Sequence, residues 1–284
     1  MSQLKKKILG ICDSRCPALT LTDVDIPEYV LSLRQQLGVV GSIRGSSGQF
    51  WTWNTANSNI RVYDAEYYKI IFLSSLIQNA LSRYRLSPKI NSFSLRNDFI
   101  VVVSELMDEF SFLDPLNFEK QYEVFLSATR AFILRNKKLR NIIGINSGRF
   151  RTMLLETLPD VKRTFSISQN LITRFYELVI EITNSETFGH GDLHPGNLLT
   201  KRGSVFYTDF ESVFSRQNLA HLDLVNFARF NPLYREHVQK KIGKKKFSEI
   251  YNSILLINLC VLRHLELRYG QKNLTETQKF LEFI

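Results

Sequence analysis

The stretch that decides the fold stands at residues 190–197 and reads His190-Gly191-Asp192-Leu193-His194-Pro195-Gly196-Asn197. Twelve residues after Asn197, the chain continues with Asp209-Phe210-Glu211. Between the two motifs, the apolar and turn residues of 198–208 predict a β-hairpin around a turn at 201–203. We expect the loop and this hairpin to bring Asp192, Asn197 and Asp209 together.

The oxygen-bearing side chains of these motifs suit phosphoryl transfer from a nucleotide. That reaction depends on positioning and charge neutralisation, so it needs hard oxygen ligands for Mg²⁺ and one carboxylate that orients the acceptor hydroxyl. Asp192 suits the second task, whereas Asn197 and Asp209 suit the first. The amide of Asn197 offers a carbonyl oxygen without adding negative charge beside the phosphates. A surface turn is the alternative interpretation, but the ordered pair of motifs favours a kinase active site.

The two motifs resemble the catalytic loop of the aminoglycoside phosphotransferase and choline kinase-like branch of the protein-kinase fold. In that branch an HGDxxxxN loop precedes a DxE or DxD metal site, and the resemblance covers roughly residues 188–229. It implies that Asp192 is the catalytic base, that Asn197 and Asp209 bind Mg²⁺, and that Asp223 supports the catalytic loop from a buried position.

The resemblance also separates this chain from ordinary protein kinases. Glu211 stands where those enzymes have the glycine of the DFG motif, which favours the small-molecule branch. We expect His190 and His194 to support the loop through hydrogen bonds and packing. The chain has only five histidines and three cysteines, Cys12, Cys16 and Cys260, and their spacing predicts neither a zinc site nor a disulfide framework.

The fold class that the resemblance implies is α+β, a two-lobed protein-kinase-like fold with a small β-rich N-lobe and a mostly helical C-lobe. We expect an N-terminal appendage at 1–38, a nucleotide-binding N-lobe and hinge at 39–108, and a catalytic and acceptor-binding helical C-lobe at 109–284. A chain of 284 residues with 44% hydrophobic residues can bury the core that this requires. Helical spacing of apolar residues runs through 117–184 and 233–283.

A turn rich in glycine and serine is predicted between two strands near the start of the N-lobe. It contains the residues Gly45, Ser46, Ser47 and Gly48 and is followed by an aromatic strand. Glycine permits close approach of backbone N–H groups to phosphates, so this turn is a candidate nucleotide-binding loop, with an ordinary hairpin turn as the alternative.

A strand at 59–63 could supply the cation that kinases place against the nucleotide phosphates. Arg61 stands there where lysine is usual, and Asp64 would then begin a helix that carries Glu66 and ends before Pro88. In this interpretation Arg61 and Glu66 contribute to nucleotide binding.

An alternative assigns residues 67–71 to the strand and makes Lys69 the phosphate ligand. We prefer the helical interpretation, because the run from 64 to 85 is long. In a third interpretation, Lys69 and Glu66 are solvated charges on a helix.

The next two predicted strands, at 89–95 and 99–103, lead into a hinge at 104–108. In the resembled fold, backbone groups of the hinge hold the adenine edge. We therefore expect Glu105 and Met107 to bind the nucleotide through N–H and C=O groups.

The positive charge of the chain is the clue to the acceptor. There are 37 Lys plus Arg against 27 Asp plus Glu, a formal net charge of +10. A polycationic aminoglycoside would call for an acidic surface, so the charge favours an acceptor that is anionic or displayed on something anionic. Candidates are a phosphorylated sugar, a lipopolysaccharide or capsule precursor at an anionic membrane face, or RNA. Nucleic acid ranks last, because the basic clusters lack interleaved aromatic residues.

The excess of basic residues lies in two clusters, which could instead be an ordinary solvated surface. The clusters are Arg130, Arg135, Lys137, Lys138, Arg140, Arg149 and Arg151; and Arg235, Lys240, Lys241, Lys244, Lys245 and Lys246.

These observations predict an ATP- and Mg²⁺-dependent phosphotransferase that acts on a hydroxyl of a small molecule or glycan. A cytoplasmic location is expected, because the sequence shows neither a membrane-spanning apolar run nor a convincing secretory signal. Two alternatives remain open: a protein kinase-like enzyme, and a pseudokinase that only binds nucleotide. The oligomeric state is open as well.

Overall fold

The computed structural model of this chain describes residues 44–46, 50–55, 57–65, 68–96, 99–184, 188–210 and 220–269. The described residues group into two compact units. The first unit contains those between 44 and 113 together with 196–210, and the second contains those of 114–195 and 220–269. Several predictions concern residues outside the described ranges: the appendage at 1–38, Cys12, Cys16, Ser47, Gly48, Glu66 and Glu211.

A five-stranded antiparallel sheet forms the centre of the first unit. Its strand order is β1-β2-β3-β5-β4. The apolar residues of β3 alternate, so that Ile60 and Val62 are buried and pair with Val103 and Val101 of β5. The strands predicted at 59–63, 89–95 and 99–103 are confirmed. The bounds are β1 Arg44–Ser46, β2 Phe50–Asn54, β3 Ser58–Asp64, β4 Ile90–Arg96 and β5 Phe99–Glu105.

The hairpin between β1 and β2 corrects the predicted extent of the glycine-rich turn. Gly45 pairs with Trp51 and Ser46 pairs with Phe50, so both belong to a strand. The prediction that they form the turn is wrong, because the ladder opposite the aromatic strand continues to Ser46. Residues 47–49, which follow Ser46 in the sequence, lie outside the described residues.

Helix α1, Tyr68–Ser82, follows β3 and packs against β4. The prediction that Asp64 begins this helix is wrong, because Asp64 is the last residue of β3 and pairs with Phe99. The alternative strand at 67–71 is wrong too. Helical spacing brings Tyr68 and Phe72 to one face, where their rings stack at 5.7 Å and Phe72 meets Phe93 edge-on at 5.8 Å.

A second, three-stranded sheet belongs to the same unit. It contains β6 Asp108–Glu109, β7 Leu198–Lys201 and β8 Ser204–Tyr207 in the order β6-β7-β8. The hairpin predicted at 198–208 is thereby confirmed. The loop after α1 holds β8: Tyr207 N–H donates to Leu86 O at 2.9 Å, and Ser87 Oγ donates to Tyr207 O at 2.7 Å.

The second unit is helical. Three of its helices begin at a polar cap, and two of these also have proline in the first turn, as the orphan N–H groups of a helix start favour. Asp114 and Asn136 accept from the N–H groups of Asn117 and Leu139, at 3.0 and 3.1 Å. The helices predicted at 117–184 and 233–283 are confirmed as far as Tyr269. The bounds are α2 Pro115–Arg135, α3 Lys137–Thr164, α4 Gln169–Asn184, α5 Ala220–Ala228, α6 Pro232–Ile242 and α7 Lys244–Tyr269.

Aromatic rings fill the core between α2, α5 and α6. Phe118 stacks on Phe227 at 4.4 Å, and Tyr234 meets both rings edge-on. Cys260 of α7 is a buried core residue, and this burial raises the pKa of its thiol to about 12, so the thiol stays protonated at neutral pH. Within the described part of the chain, no helix combines the length and apolarity needed to cross a bilayer.

Candidate active site

The loop 190–195 belongs to the helical unit, and it is buried at 190–193 and half-buried at His194 and Pro195. His190 is 0% and Asp192 3% exposed. Gly191 has φ of 87°, a left-handed conformation that a side chain would strain, and this explains the glycine between them. His194 Nε2 lies 3.8 Å from Asp192 Oδ2.

Helix α5 holds this loop through two side chains on one face. The Asp223 carboxylate accepts from His190 N–H at 2.6 Å and from Gly191 N–H at 3.1 Å. One turn later, Asn226 Nδ2 donates to Leu193 O at 3.0 Å. Residues three apart on a helix are neighbours, so one short helix fixes the backbone on both sides of Asp192.

The surroundings of Asp223 explain how a carboxyl group can be buried there. Burial raises its pKa above the ordinary value, while His190, the Tyr122 hydroxyl and the two loop N–H groups act in the opposite direction, and the net shift is upward. The Tyr122 hydroxyl, on α2, donates to Asp223 as well. With these donors, Asp223 joins α2, α5 and the loop in one hydrogen-bond network.

Asn226 and Tyr122 were not predicted from the sequence as site residues. Asn226 could have been found, since it stands three residues after Asp223, about one helical turn further along the chain. Tyr122 carries no such signal, because its partner is 101 residues away in the chain.

Asn197 and Asp209 both belong to the first unit, at the open end of the β7–β8 hairpin. Asn197 ends a short 3-10 helix, Pro195–Asn197, and is 6% exposed. Its carbonyl accepts from Thr208 N–H at 3.0 Å and from Thr208 Oγ1 at 3.1 Å. Asp209 is the next residue, so the hairpin register places the two metal-ligand candidates beside each other.

The backbone at Asp209 is strained. Its φ of 59° is left-handed, which costs an L-residue about 1–2 kcal/mol and occurs disproportionately at functional sites. The donor set is one amide oxygen and one carboxylate, hard ligands that fit Mg²⁺. In the described part of the chain, no three His, Cys, Asp or Glu side chains cluster as metal ligands.

Arg61, the candidate phosphate ligand, contacts a glutamine on α1. Its Nη2 donates to Gln78 Oε1 at 3.0 Å, and Gln78 Nε2 donates to Pro88 O at 3.0 Å. Gln78 is a polar residue in an apolar helix, it is 2% exposed, and its role was not predicted from the sequence. Lys69, the alternative ligand, is exposed on α1.

The hinge candidates lie where β5 ends. Glu105 N–H donates to Lys89 O at 2.8 Å, so it is not available to a nucleotide in this conformation. The Glu105 carboxylate pairs with Lys201 of β7. Met107 is buried just before β6.

The small antiparallel sheet unit and the helical unit with loop 190–195 form an α+β fold that is similar to the fold of two solved phosphotransferase structures. Both structures have low sequence identity to this chain, so the similarity establishes the fold alone. Aminoglycoside phosphotransferase APH(3'')-Id from Streptomyces rimosus matches with a TM-score of 0.51 and 12% identity, over 85% of this chain and 99% of that one. A thermostable mutant of aminoglycoside phosphotransferase APH(4)-Ia, in complex with AMP-PNP and hygromycin B, matches with a TM-score of 0.51 and 10% identity, over 88% and 94%. No family model matches the chain, and a search of curated proteins found no match.

Proposed function

We propose that this protein is an ATP- and Mg²⁺-dependent phosphotransferase that transfers the terminal phosphoryl group to a hydroxyl of a small molecule or glycan. The observation that carries the proposal is the arrangement of the catalytic-loop motif: α5 fixes the buried loop around Asp192, and the hairpin register sets Asn197 next to Asp209. The similarity of fold to a protein solved with AMP-PNP and hygromycin B supports a nucleotide and a hydroxyl-bearing acceptor.

The proposed roles follow from the chemistry of each side chain. Asp192 orients the acceptor hydroxyl and takes its proton, while the acceptor oxygen forms a bond to the γ-phosphorus and the bond from that phosphorus to the bridging oxygen of ADP breaks. Asn197 and Asp209 would hold Mg²⁺, which neutralises charge on the phosphates. His190, His194 and Asp223 support the loop.

Nucleotide binding is assigned to the first unit. We propose Arg61 and the 45–48 segment for the phosphates, and backbone groups near Met107 for the base. Glu66 belongs to this set through the family resemblance.

The acceptor is proposed to be anionic, or displayed on an anionic surface such as a membrane face. The support is the charge distribution: six of the cations between Arg130 and Arg151 are exposed, and no acidic residue stands between Glu123 and Glu156. Such a field attracts anions and repels polycations.

A Mg²⁺-dependent assay of ATP consumption tests the function. Purified wild type is compared with Asp192→Asn on sugars, sugar phosphates, amino alcohols, nucleosides and aminoglycosides. The substitution should lower kcat by about 10²- to 10⁴-fold, the usual contribution of a positioned base, and leave nucleotide binding intact. Glu123→Gln, at an exposed position of α2, is the matched control and should behave as wild type.

The metal assignment has its own measurement. Asp209→Ala should abolish the Mg²⁺-dependence of ATP binding, measured by calorimetry with and without the ion. Mg²⁺ that still promotes ATP binding to this variant would refute the ligand assignment. An equal kcat in wild type and in Asp192→Asn would refute the assignment of Asp192 as the catalytic base.

A nucleotide-binding module without transfer is the second candidate. Arg61 favours it, because this side chain replaces the usual lysine and is already engaged with neutral Gln78. ATP binding by wild type with no consumption on any acceptor would support this candidate.

A further inference from the structure

A cationic and aromatic corner adjoins Asp192 within the helical unit. It is formed by Arg229 and Phe230, which connect α5 to α6. The His194 ring lies 6.2 Å from the Phe230 ring, and His194 Nε2 lies 3.8 Å from Asp192 Oδ2. The Arg229 guanidinium carbon lies 4.6 Å from the centroid of the Phe230 ring. Asp192, His194, Phe230 and Arg229 thus form one contiguous group.

Arg229 is a half-buried cation in this group. Burial lowers the pKa of its guanidinium, while Tyr251 and Asp192 act in the opposite direction. An arginine keeps its charge under such conditions, because its pKa starts far above neutrality. Among the residues that the structure describes, no carboxylate forms an ion pair with this guanidinium, although Asp192 is near enough to influence its pKa.

Phe230 gives the corner an apolar wall. Its side chain is 43% exposed, so part of the ring surface is open to solvent. Tyr251 of α7 is half-buried beside Arg229. A guanidinium stacked on an aromatic ring keeps its outer edge for bidentate hydrogen bonds to a planar or tetrahedral anion.

We infer that Arg229 determines acceptor specificity by binding a phosphate or carboxylate group of the acceptor, while its hydroxyl faces Asp192 and its apolar face packs on Phe230. This inference rests on the proposed function. It narrows the acceptor to a hydroxyl compound that carries its own anionic group. The same cation repels an acceptor whose nearby groups are ammonium ions.

Matched pairs of acceptors test this inference, since each pair differs only by the anionic group. The pairs are hexoses and hexose monophosphates, pentoses and pentose monophosphates, glycerol and glycerol phosphate, and hexoses and hexuronic acids. Wild type should use the anionic member of at least one pair with the higher kcat/KM. Arg229→Gln should lose about 10- to 100-fold of that kcat/KM, the range for a hydrogen bond to a charged group, and leave the neutral member unchanged.

Two variants separate recognition from general charge. Arg229→Lys keeps the charge without the bidentate fork and should restore part of the lost activity. Lys162→Gln removes one exposed charge from α3, outside both basic clusters, and should have no effect. An equal loss on both members of a pair, or an equal loss in Lys162→Gln, overturns the inference.

A binding measurement keeps this inference apart from the proposed function. Ligand-observed NMR with the same pairs is performed on Asp192→Asn and on Asp192→Asn/Arg229→Gln. If an anionic member binds preferentially and this preference disappears in the variant that lacks Arg229, the inference is supported, even when no acceptor is phosphorylated. A lack of phosphorylation would refute only the proposed transferase function. Transfer activity without any preference for anionic members refutes the role of Arg229 alone.

Discussion

Two side chains of α5 determine the shape of the loop around Asp192. Asp223 receives two loop N–H groups, and Asn226 binds the carbonyl of Leu193 on the other side. Buried backbone groups that lose their partner cost more than an average hydrogen bond contributes, because they cannot return to water. The two residues therefore matter for stability and for the position of the Asp192 carboxylate.

Asn226→Leu should reduce both stability and rate. The substitution leaves the Leu193 carbonyl without its donor, and the free energy of unfolding should fall by about 1–3 kcal/mol. We also expect kcat to fall about tenfold or more, because small displacements of a catalytic group are costly, with little change in KM for ATP. Denaturant unfolding and steady-state kinetics measure the two effects.

Asn258 provides the matched control for that change. It is 1% exposed on α7, and neither its amide nitrogen nor its oxygen has a hydrogen-bond partner among the described residues. Asn258→Leu should thus leave stability unchanged or raise it. Equal losses at the two positions would show that packing volume, not the bond to Leu193, sets the cost.

At the scale of elements, α3 contains two glycines that its packing does not require. A Cβ added at Gly144 or Gly148 would meet nothing within 4 Å. Both positions lie inside a 28-residue helix, where glycine is unfavourable relative to alanine. The α3 helix is consequently less stable than its length suggests.

Gly148→Ala should raise the free energy of unfolding by about 0.5–1 kcal/mol, measured by denaturant titration. Gly243→Ala is the informative comparison, because space is equally open there but φ is 87°. That substitution should lower stability by about 1 kcal/mol. The same sign at both positions would mean that backbone conformation is not the deciding factor.

At the scale of the whole molecule, the excess of positive charge should make the fold less stable in acid. The chain has ten more basic than acidic residues, so protonation of carboxylates increases self-repulsion. Glu119 is especially placed, because it is 7% exposed and joins α2 to α6 through His237 at 2.8 Å and through Lys241.

The pKa of Glu119 predicts how stability depends on pH. Burial raises this pKa, but hydrogen bonds and charge from Lys241 and His237 outweigh burial, and the pKa is lowered from 4.5. A carboxylate whose pKa is lower in the folded state than in the unfolded state stabilises the fold at pH values above the unfolded-state pKa. This contribution is lost as the pH falls through the folded-state pKa. The stability difference between wild type and Glu119→Gln should therefore be largest above pH 4.5 and shrink below it.

Denaturant titrations of both proteins at a series of pH values measure this difference. Lys240→Gln, which breaks only an exposed pair with Glu236, is the control. A difference that stays constant across the acid range would exclude Glu119 as the titrating group.

Local patterns were sufficient to predict much of this fold. The β7–β8 hairpin, the strand that carries Arg61 and the helical second unit follow from short-range spacing, and Asp192, Asn197 and Asp209 were candidates from motif chemistry alone. Asp64 was misplaced, because a capping residue and a strand end share the same polar signature. The partnerships of Tyr122 with Asp223 and of Arg61 with Gln78 depend on tertiary packing, which local sequence does not encode.

The β7–β8 hairpin has a consequence for how the chain tolerates length changes. Its two-residue tip, Arg202 and Gly203, has φ of 51° and 78°, the mirror-image turn that matches strand twist, and both residues are exposed. Four residues of β7 pair with four residues of β8 between the ends that carry Asn197 and Asp209. This equal number of residues on the two strands keeps the two ends opposite each other. Insertions at the tip that add residues in pairs keep those ends aligned, whereas a single added residue within one strand turns its following side chains to the opposite face. The hairpin should therefore tolerate longer turns at its tip, whereas a change of strand register would separate Asn197 from Asp209.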